Sequence, residues 1–325
     1  MKRVFSGIQP SGEPHLGNYA GALMNWVRLQ QDYECIYCVV DYHAITQSYE
    51  PEVLGRRTID MATAILAAGV DPERATLFVQ SAVPEHTELA WLLNCVTPLG
   101  ELERMTQFKD KSARNRKNIN AGLLNYPVLQ AADIVLYKAA LVPVGEDQVQ
   151  HLELSREIVR RFNARFGDVF PEPEPLLSTA KRILGLDGQA KMSKSLGNTL
   201  AMLAEEDEIW EKLRPAVTDA RRVRRSDPGE PEDCNIFTIH KAFTPEDKRA
   251  ELAAGCRGAT IGCIDCKRVL ADNLNADLAP VRERYRELQA APERVREILA
   301  AGAERCRALA RETLAEARQA MGLPR

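Results

Sequence analysis

The chain has almost no excess of charge: 43 Lys and Arg stand against 46 Asp and Glu in 325 residues, a formal net charge of -3. No overall basic character marks it for nucleic acid, so such a partner must be met by a local patch. Long hydrophobic runs are missing too. Stretches such as CIYCVV and IVLY are far shorter than the roughly 18–20 residues that cross a bilayer, and the start MKRVFSG lacks the apolar run of a secretory signal. A soluble, cytoplasmic chain with no membrane partner is expected. Eight cysteines are too few for a disulfide scaffold. The P-loop pattern GxxxxGK followed by Ser or Thr and the dinucleotide pattern GxGxxG are both absent, which removes the support for an ordinary NTPase or dinucleotide enzyme. What remains, 45% hydrophobic and 27% charged residues, suffices for one large core or for a large and a small domain.

The apolar pattern alternates between strand and helix. Val4 and Phe5 read as a strand stopping at Gly7, and PSGEPHLGNY turns into a helix near Asn18. CIYCVVDYHAIT reads as a buried strand that delivers Asp41 and His43 at its carboxyl end, and ATLFVQS repeats the pattern after the helix VLGRRTIDMATAILAAG. A further strand in ALVPV turns at Gly145 into a long helix. Nearly continuous apolar strands between helices predict an α/β fold with a parallel sheet, whose functional residues belong at its carboxyl edge. PEPEP at 171–175 reads as a loop and GQAKMSKSLGNT as a second break, beyond which almost everything is helical. There Thr244, Pro245 and Asp247 read as N-cap, first-turn proline and capping-box acid of a helix through Ala254.

Four features of the sequence point to chemistry. HLGN at 15–18 follows the first strand: Gly17 clears space for a flat ring, His15 and Asn18 point polar groups into one crevice, and a helix start offers N–H groups to an anion. KMSKS at 191–195 sets Lys191 and Lys194 three apart in a hydroxyl-rich loop bounded by Gly188 and Gly197, cations suited to a polyphosphate leaving group. Asp133 sits in the apolar LQAADIVLY, where an unpaired carboxylate is expensive. Four of the cysteines, Cys234, Cys256, Cys263 and Cys266, form C-x21-C-x6-C-x2-C, a soft-ligand set compatible with zinc, an iron-sulfur cluster or free thiols.

HLGN and KMSKS together resemble the HIGH and KMSKS signatures of class I aminoacyl-tRNA synthetases. FSGIQPSGEPHLGNYAGAL, DYHAIT, GELERMTQFKDKS, YPVLQAADIVLY and PVGEDQVQH extend the resemblance, along essentially the whole chain, to the bacterial tryptophanyl group. The resemblance implies a Rossmann-like parallel sheet with a smaller all-helical domain: a catalytic domain at 1–190, the KMSKS loop at 191–200, a helical anticodon-recognition domain at 201–300 and a C-terminal helix at 301–325. It implies ATP with substrate-associated Mg²⁺, L-tryptophan and tRNA(Trp) as partners, and a homodimer. Lys111, Lys191, Lys194 and Ser193 would act on the phosphates. Gln9, His15, Gly17, Asn18, Gly145, Asp147 and Met192 would complete the nucleotide site. For tryptophan it implies Phe5, Gln130, Ile134, Val142 and Val144 as walls, Gln9, Tyr126 and Gln148 at the polar end, His43 nearby, and Asp133 accepting from the indole N–H. Methionine is the commoner residue of the group where Gln130 stands.

The four-cysteine pattern resembles a subgroup carrying a 4Fe-4S cluster, whose longest gap is one residue greater; zinc is the alternative. Lys267 is a candidate phosphate contact; the run Arg221, Arg222, Arg224 and Arg225 reads first as a solvated loop, with phosphate contact as the alternative. A tyrosyl enzyme and a noncatalytic tRNA-binding or regulatory paralogue are the competing readings.

Overall fold

The computed structural model describes residues 1–109, 119–145, 148–177, 183–190, 192 and 196–324. Strands β1 (Arg3–Ile8), β2 (Glu34–Val39), β3 (Ala75–Val79), β4 (Leu141–Val144) and β5 (Glu174–Leu177) form one sheet in the order β3-β2-β1-β4-β5, parallel throughout. The expected α/β architecture is realised, with one correction: the proline-rich stretch at 171–175 is not all loop. β5 begins inside it, with Glu174 opposite Leu141 and Pro175 opposite Val142. Proline is tolerated there because β5 is an edge strand.

The strands are apolar because both faces of the sheet are covered. Val4, Cys35, Tyr37 and Leu77 face one core, packed by α1 (16–29, with a π turn at Tyr19–Leu23) and α3 (Pro51–Ala67). Their neighbours Phe5, Ile36, Cys38 and Phe78 face a second core. It is packed by α4 (Glu85–Asn94), α6 (Ala121–Val135) and α7 (Val149–Phe166). The short α2 (Asp41–Ala44) follows β2, and α5 (Leu99–Arg104) precedes the undescribed 110–118.

Beyond residue 205 the chain is nearly all helix, as its pattern predicts: α8 (Glu206–Leu213), α9 (Asn235–Phe243), α10 (Glu246–Arg257), α11 (Cys263–Ala290) and α12 (Pro292–Ala320). α10 is present, but its predicted cap is not. Pro245 occupies the N-cap, and the Thr244 hydroxyl instead pairs with His240 Nδ1 at 2.8 Å and accepts from Asn273 Nδ2 at 2.9 Å. A buried tertiary network outcompetes the local motif. Among the described residues no helix is long and apolar enough to cross a membrane.

α12 crosses the β3 edge of the sheet. Val295 and Leu299 join the first core, whereas Ala303, Cys306, Ala310 and Leu314 join the second. Gly302 lies at the crossing, where a Cβ would stand 2.0 Å from the Leu77 carbonyl oxygen. Arg307 Nε then donates to Ala82 O at 2.8 Å. Covering an edge strand removes a site for unwanted pairing. Gly302→Ala is expected to cost about 2–3 kcal/mol in urea denaturation. Gly55→Ala in α3, where the added methyl meets nothing within 4 Å, should stabilise by up to about 1 kcal/mol. Equal effects of the two substitutions would remove the close-approach argument.

Candidate active site

The strand order reverses between β1 and β4, the place where open parallel sheets bind ligands. β1 pairs with β2 along its whole length but with β4 only at Val4–Leu141. The two strands therefore part toward their carboxyl ends and open a crevice between the loops that follow. Half-buried Gln9 leaves β1 on one side; exposed Gly145 and half-buried Gln148, which caps α7, leave β4 on the other.

HLGN starts α1 beside that crevice. His15 is the N-cap: its Nδ1 accepts from Asn18 N–H at 3.3 Å, while Asn18 Oδ1 accepts from His15 N–H at 3.1 Å. A Cβ at Gly17 would lie 3.0 Å from His15 Nδ1 and 3.8 Å from the Met192 Cβ, so glycine keeps the imidazole seated and buried Met192 close. Leu16 N–H donates to Leu200 O at 2.8 Å, Met202 N–H donates to Pro14 O at 2.9 Å, and His15 bridges Ala201. HLGN is thus tied to residues 200–202, far from it in sequence. The stretches on either side of 191–195 are joined by Leu186 N–H to Asn198 O (2.9 Å) and Asn198 Nδ2 to Asp187 (3.0 Å), with positive φ of 68° at Gly188 and 64° at Gly197. Lys111, Asp147, Lys191, Ser193 and Lys194 lie outside the described residues.

Asp133 on α6 is 1% exposed and carries three hydrogen bonds. His43 Nε2 donates to its Oδ2 at 2.7 Å. Gln80 Nε2 and His86 Nδ1 donate to Oδ1 at 2.8 and 2.6 Å. Burial pushes this carboxyl up, but His43 and His86 outweigh it and hold the group well below the usual carboxylate range. The Gln80 amide is fixed at its other end by Tyr42 N–H, 3.1 Å from Oε1. The buried Tyr137 hydroxyl lies 2.7 Å from His86 Nε2, and Tyr137 shares its core with Cys306 of α12. Gln80 and His86, which sequence reasoning missed, come from the ends of β3 and α4. Their only local signal is a polar residue closing the apolar ATLFVQ and a histidine entering an apolar helix.

Other expected tryptophan residues gather around this carboxylate. Tyr126, Gln130 and Ile134 share a face of α6 with Asp133, as their spacing requires. Phe5, Ile134, Val142 and Val144 belong to one buried cluster, and Phe5 stacks on Tyr137 at 5.6 Å. The Tyr126 hydroxyl lies 2.8 Å from His151 Nε2 and 3.2 Å from Gln107 Oε1, and burial pushes it up to about 12.

The four cysteines also converge. Cys234 caps α9, Cys256 ends α10, Cys263 and Cys266 open α11, and all four free thiols line one cavity with Arg222. Burial, then the neighbouring thiols, push Cys266 up to about 12. Among the described residues no group of three or more His, Cys, Asp or Glu is arranged to hold a metal ion. Two candidate phosphate contacts are corrected. Lys267 is 5% exposed and its ammonium donates to Arg214 O and Ala216 O at 2.7 and 2.6 Å, closing the end of α8. Arg222 donates to Asp227 O, Arg225 O and Ile261 O, each at 2.9 Å, and sits 3.7 Å from Cys256 Sγ. Arg221 is engaged by Asp219 and Asp233, and Arg225 lies 3.3 Å from Asp265.

Comparison with known proteins agrees with this geometry. Residues 1–279 match the family described as tRNA synthetases class I (W and Y). The chain is 53% identical over 327 residues to the tryptophan–tRNA ligase of Deinococcus radiodurans and 45% identical over 326 residues to that of Thermotoga maritima, covering 99% of both chains in each case. Its fold resembles the tryptophanyl-tRNA synthetase of Campylobacter jejuni complexed with ADP and tryptophan: TM-score 0.86 at 38% identity, over 99% of this chain and 100% of that one. The tyrosyl reading gives way to tryptophan. The chain belongs to the class I tRNA synthetases, in their bacterial tryptophanyl group, and acts as a tryptophan–tRNA ligase.

Proposed function

We propose that the crevice between β1 and β4 activates L-tryptophan with ATP to tryptophanyl adenylate and passes it to the 2′-hydroxyl of the terminal adenosine of tRNA(Trp). The observation that supports this is the clasp between HLGN and residues 200–202, a few positions beyond KMSKS in the chain. No protein nucleophile is required: the amino-acid carboxylate attacks the α-phosphorus in line and pyrophosphate leaves. His15, Gly17, Asn18, Gly145, Asp147 and Met192 seat the nucleotide. Lys111, Lys191, Ser193 and Lys194 meet the phosphates, and Mg²⁺ arriving with ATP neutralises part of their charge. Gln9, Tyr126 and Gln148 hold the polar end of tryptophan. In this reading residues 1–190 are catalytic, 191–200 the KMSKS loop, 201–300 the anticodon-recognition domain and 301–325 the C-terminal helix of a cytoplasmic enzyme.

Asp133 marks the indole N–H, because a buried carboxylate held as an anion accepts and cannot donate. Tryptophan, and not tyrosine, is expected to drive ATP–pyrophosphate exchange. Asp133→Ala should lower kcat/KM for tryptophan about a hundredfold or more while KM for ATP moves less than about threefold. Unchanged tryptophan selectivity would remove Asp133 from this role.

A homodimer is supported by apolar surface on one face. Trp91 of α4 is 69% exposed and Ile45 43%, and both line a groove with Tyr42, Ala90 and Leu129. Patches of that kind mark interfaces. Trp91→Glu should convert the protein to monomers in sedimentation, and an undiminished dimer would place the contact elsewhere.

The four cysteines would hold an iron-sulfur cluster as a structural staple near the tRNA surface, outside the chemistry of aminoacylation. Four thiols lining one cavity are what supports the reading; thiolates ligate zinc and iron-sulfur clusters alike, and zinc is the alternative. Protein purified without oxygen, with iron and sulfide available during expression, should show a broad visible band that bleaches on reduction. A colourless protein would remove the cluster and leave the ligase assignment standing.

A further inference from the structure

Resting on the reading of Asp133 as the indole acceptor, we propose that His86, braced by Tyr137 and sharing one carboxylate oxygen with Gln80, is a positioning residue that sets tryptophan selectivity by leaving Asp133 a single free acceptor site. The basis is a count of lone pairs. A carboxylate oxygen accepts about two hydrogen bonds. Oδ1 already takes Gln80 at 2.8 Å and His86 at 2.6 Å, and is filled; among the described residues Oδ2 takes only His43, at 2.7 Å. An indole N–H therefore has one place to go, the second lone pair of Oδ2.

That asymmetry depends on His86 being fixed, and its surroundings fix it. Its ring is fully buried, 5.8 Å from Phe78 and 5.4 Å from Tyr137. The Tyr137 hydroxyl, held protonated by burial, donates to Nε2, so Nδ1 carries the proton that faces the carboxylate. Tyr137 is held in turn: Arg3 Nη1 donates to its carbonyl at 2.6 Å, and its ring stacks on Phe5 at 5.6 Å. Donors thus run from Tyr137 through His86 to one oxygen of Asp133. Without the His86 donor, Oδ1 regains a lone pair and the carboxylate can turn about its side-chain bond. The direction in which it reads a substrate N–H is then lost.

The test compares tryptophan with β-(benzothiophen-3-yl)alanine, which replaces the indole N–H by sulfur, in ATP–pyrophosphate exchange by the full-length protein. Wild type should favour tryptophan strongly; if it does not, the reading of Asp133 itself fails. Given that preference, His86→Leu should shrink the tryptophan-to-analogue ratio of kcat/KM at least about tenfold, the equivalent of one hydrogen bond, mainly through tryptophan. His86→Asn, whose amide N–H replaces the Nδ1 donor, should recover most of the loss. A ratio unchanged in His86→Leu, or equal losses on both substrates, would overturn the proposal while leaving Asp133 in place. Should His86→Leu fail to fold, Tyr137→Phe decides: a ratio narrowed about threefold supports the brace, and an unaltered ratio overturns it.

Discussion

A carboxylate inside an apolar core is the constraint on which the rest of this site depends. Left unpaired, it would cost several kcal/mol or take up a proton. The fold prevents both by bringing three donors to Asp133 from three elements: His43 after β2, Gln80 after β3 and His86 in α4. Those donors require the carboxyl ends of β2 and β3 to lie side by side over α6, which the parallel register between the two strands provides. The order β3-β2-β1-β4-β5 then sets this specificity centre next to the crevice where β1 and β4 part.

The nucleotide side follows a different logic. HLGN and the segment at 200–202 are joined by backbone hydrogen bonds, which do not depend on the side chains that will meet phosphate. Their geometry is therefore set before the lysines act, as expected of a site that works by positioning and charge rather than by a nucleophile.

Much of this was legible in the residues. The strands announced themselves by unbroken apolar runs, HLGN and KMSKS by glycine and cations in loops, and Asp133 by being out of place. The partners of Asp133 were not legible, because His86 and Gln80 are ordinary polar residues until the sheet sets them beside α6. β5 was hidden by its prolines, which an edge strand tolerates. Thr244 was misread because a local capping pattern cannot report that His240 and Asn273 compete for its hydroxyl. Lys267 looked like a surface cation until the end of α8 closed over it.

The path of α12 carries a consequence for how the molecule comes into being. β3 lies in the first quarter of the chain, yet the helix that covers its edge comes near the end. Arg307 meets Ala82 across 225 residues. As the nascent polypeptide emerges, the sheet is translated long before its edge can be shielded. Loop closure on that scale is slow relative to helix formation. The half-made enzyme therefore spends most of its synthesis with an open β-edge, the interval in which a nascent-chain chaperone has most to protect.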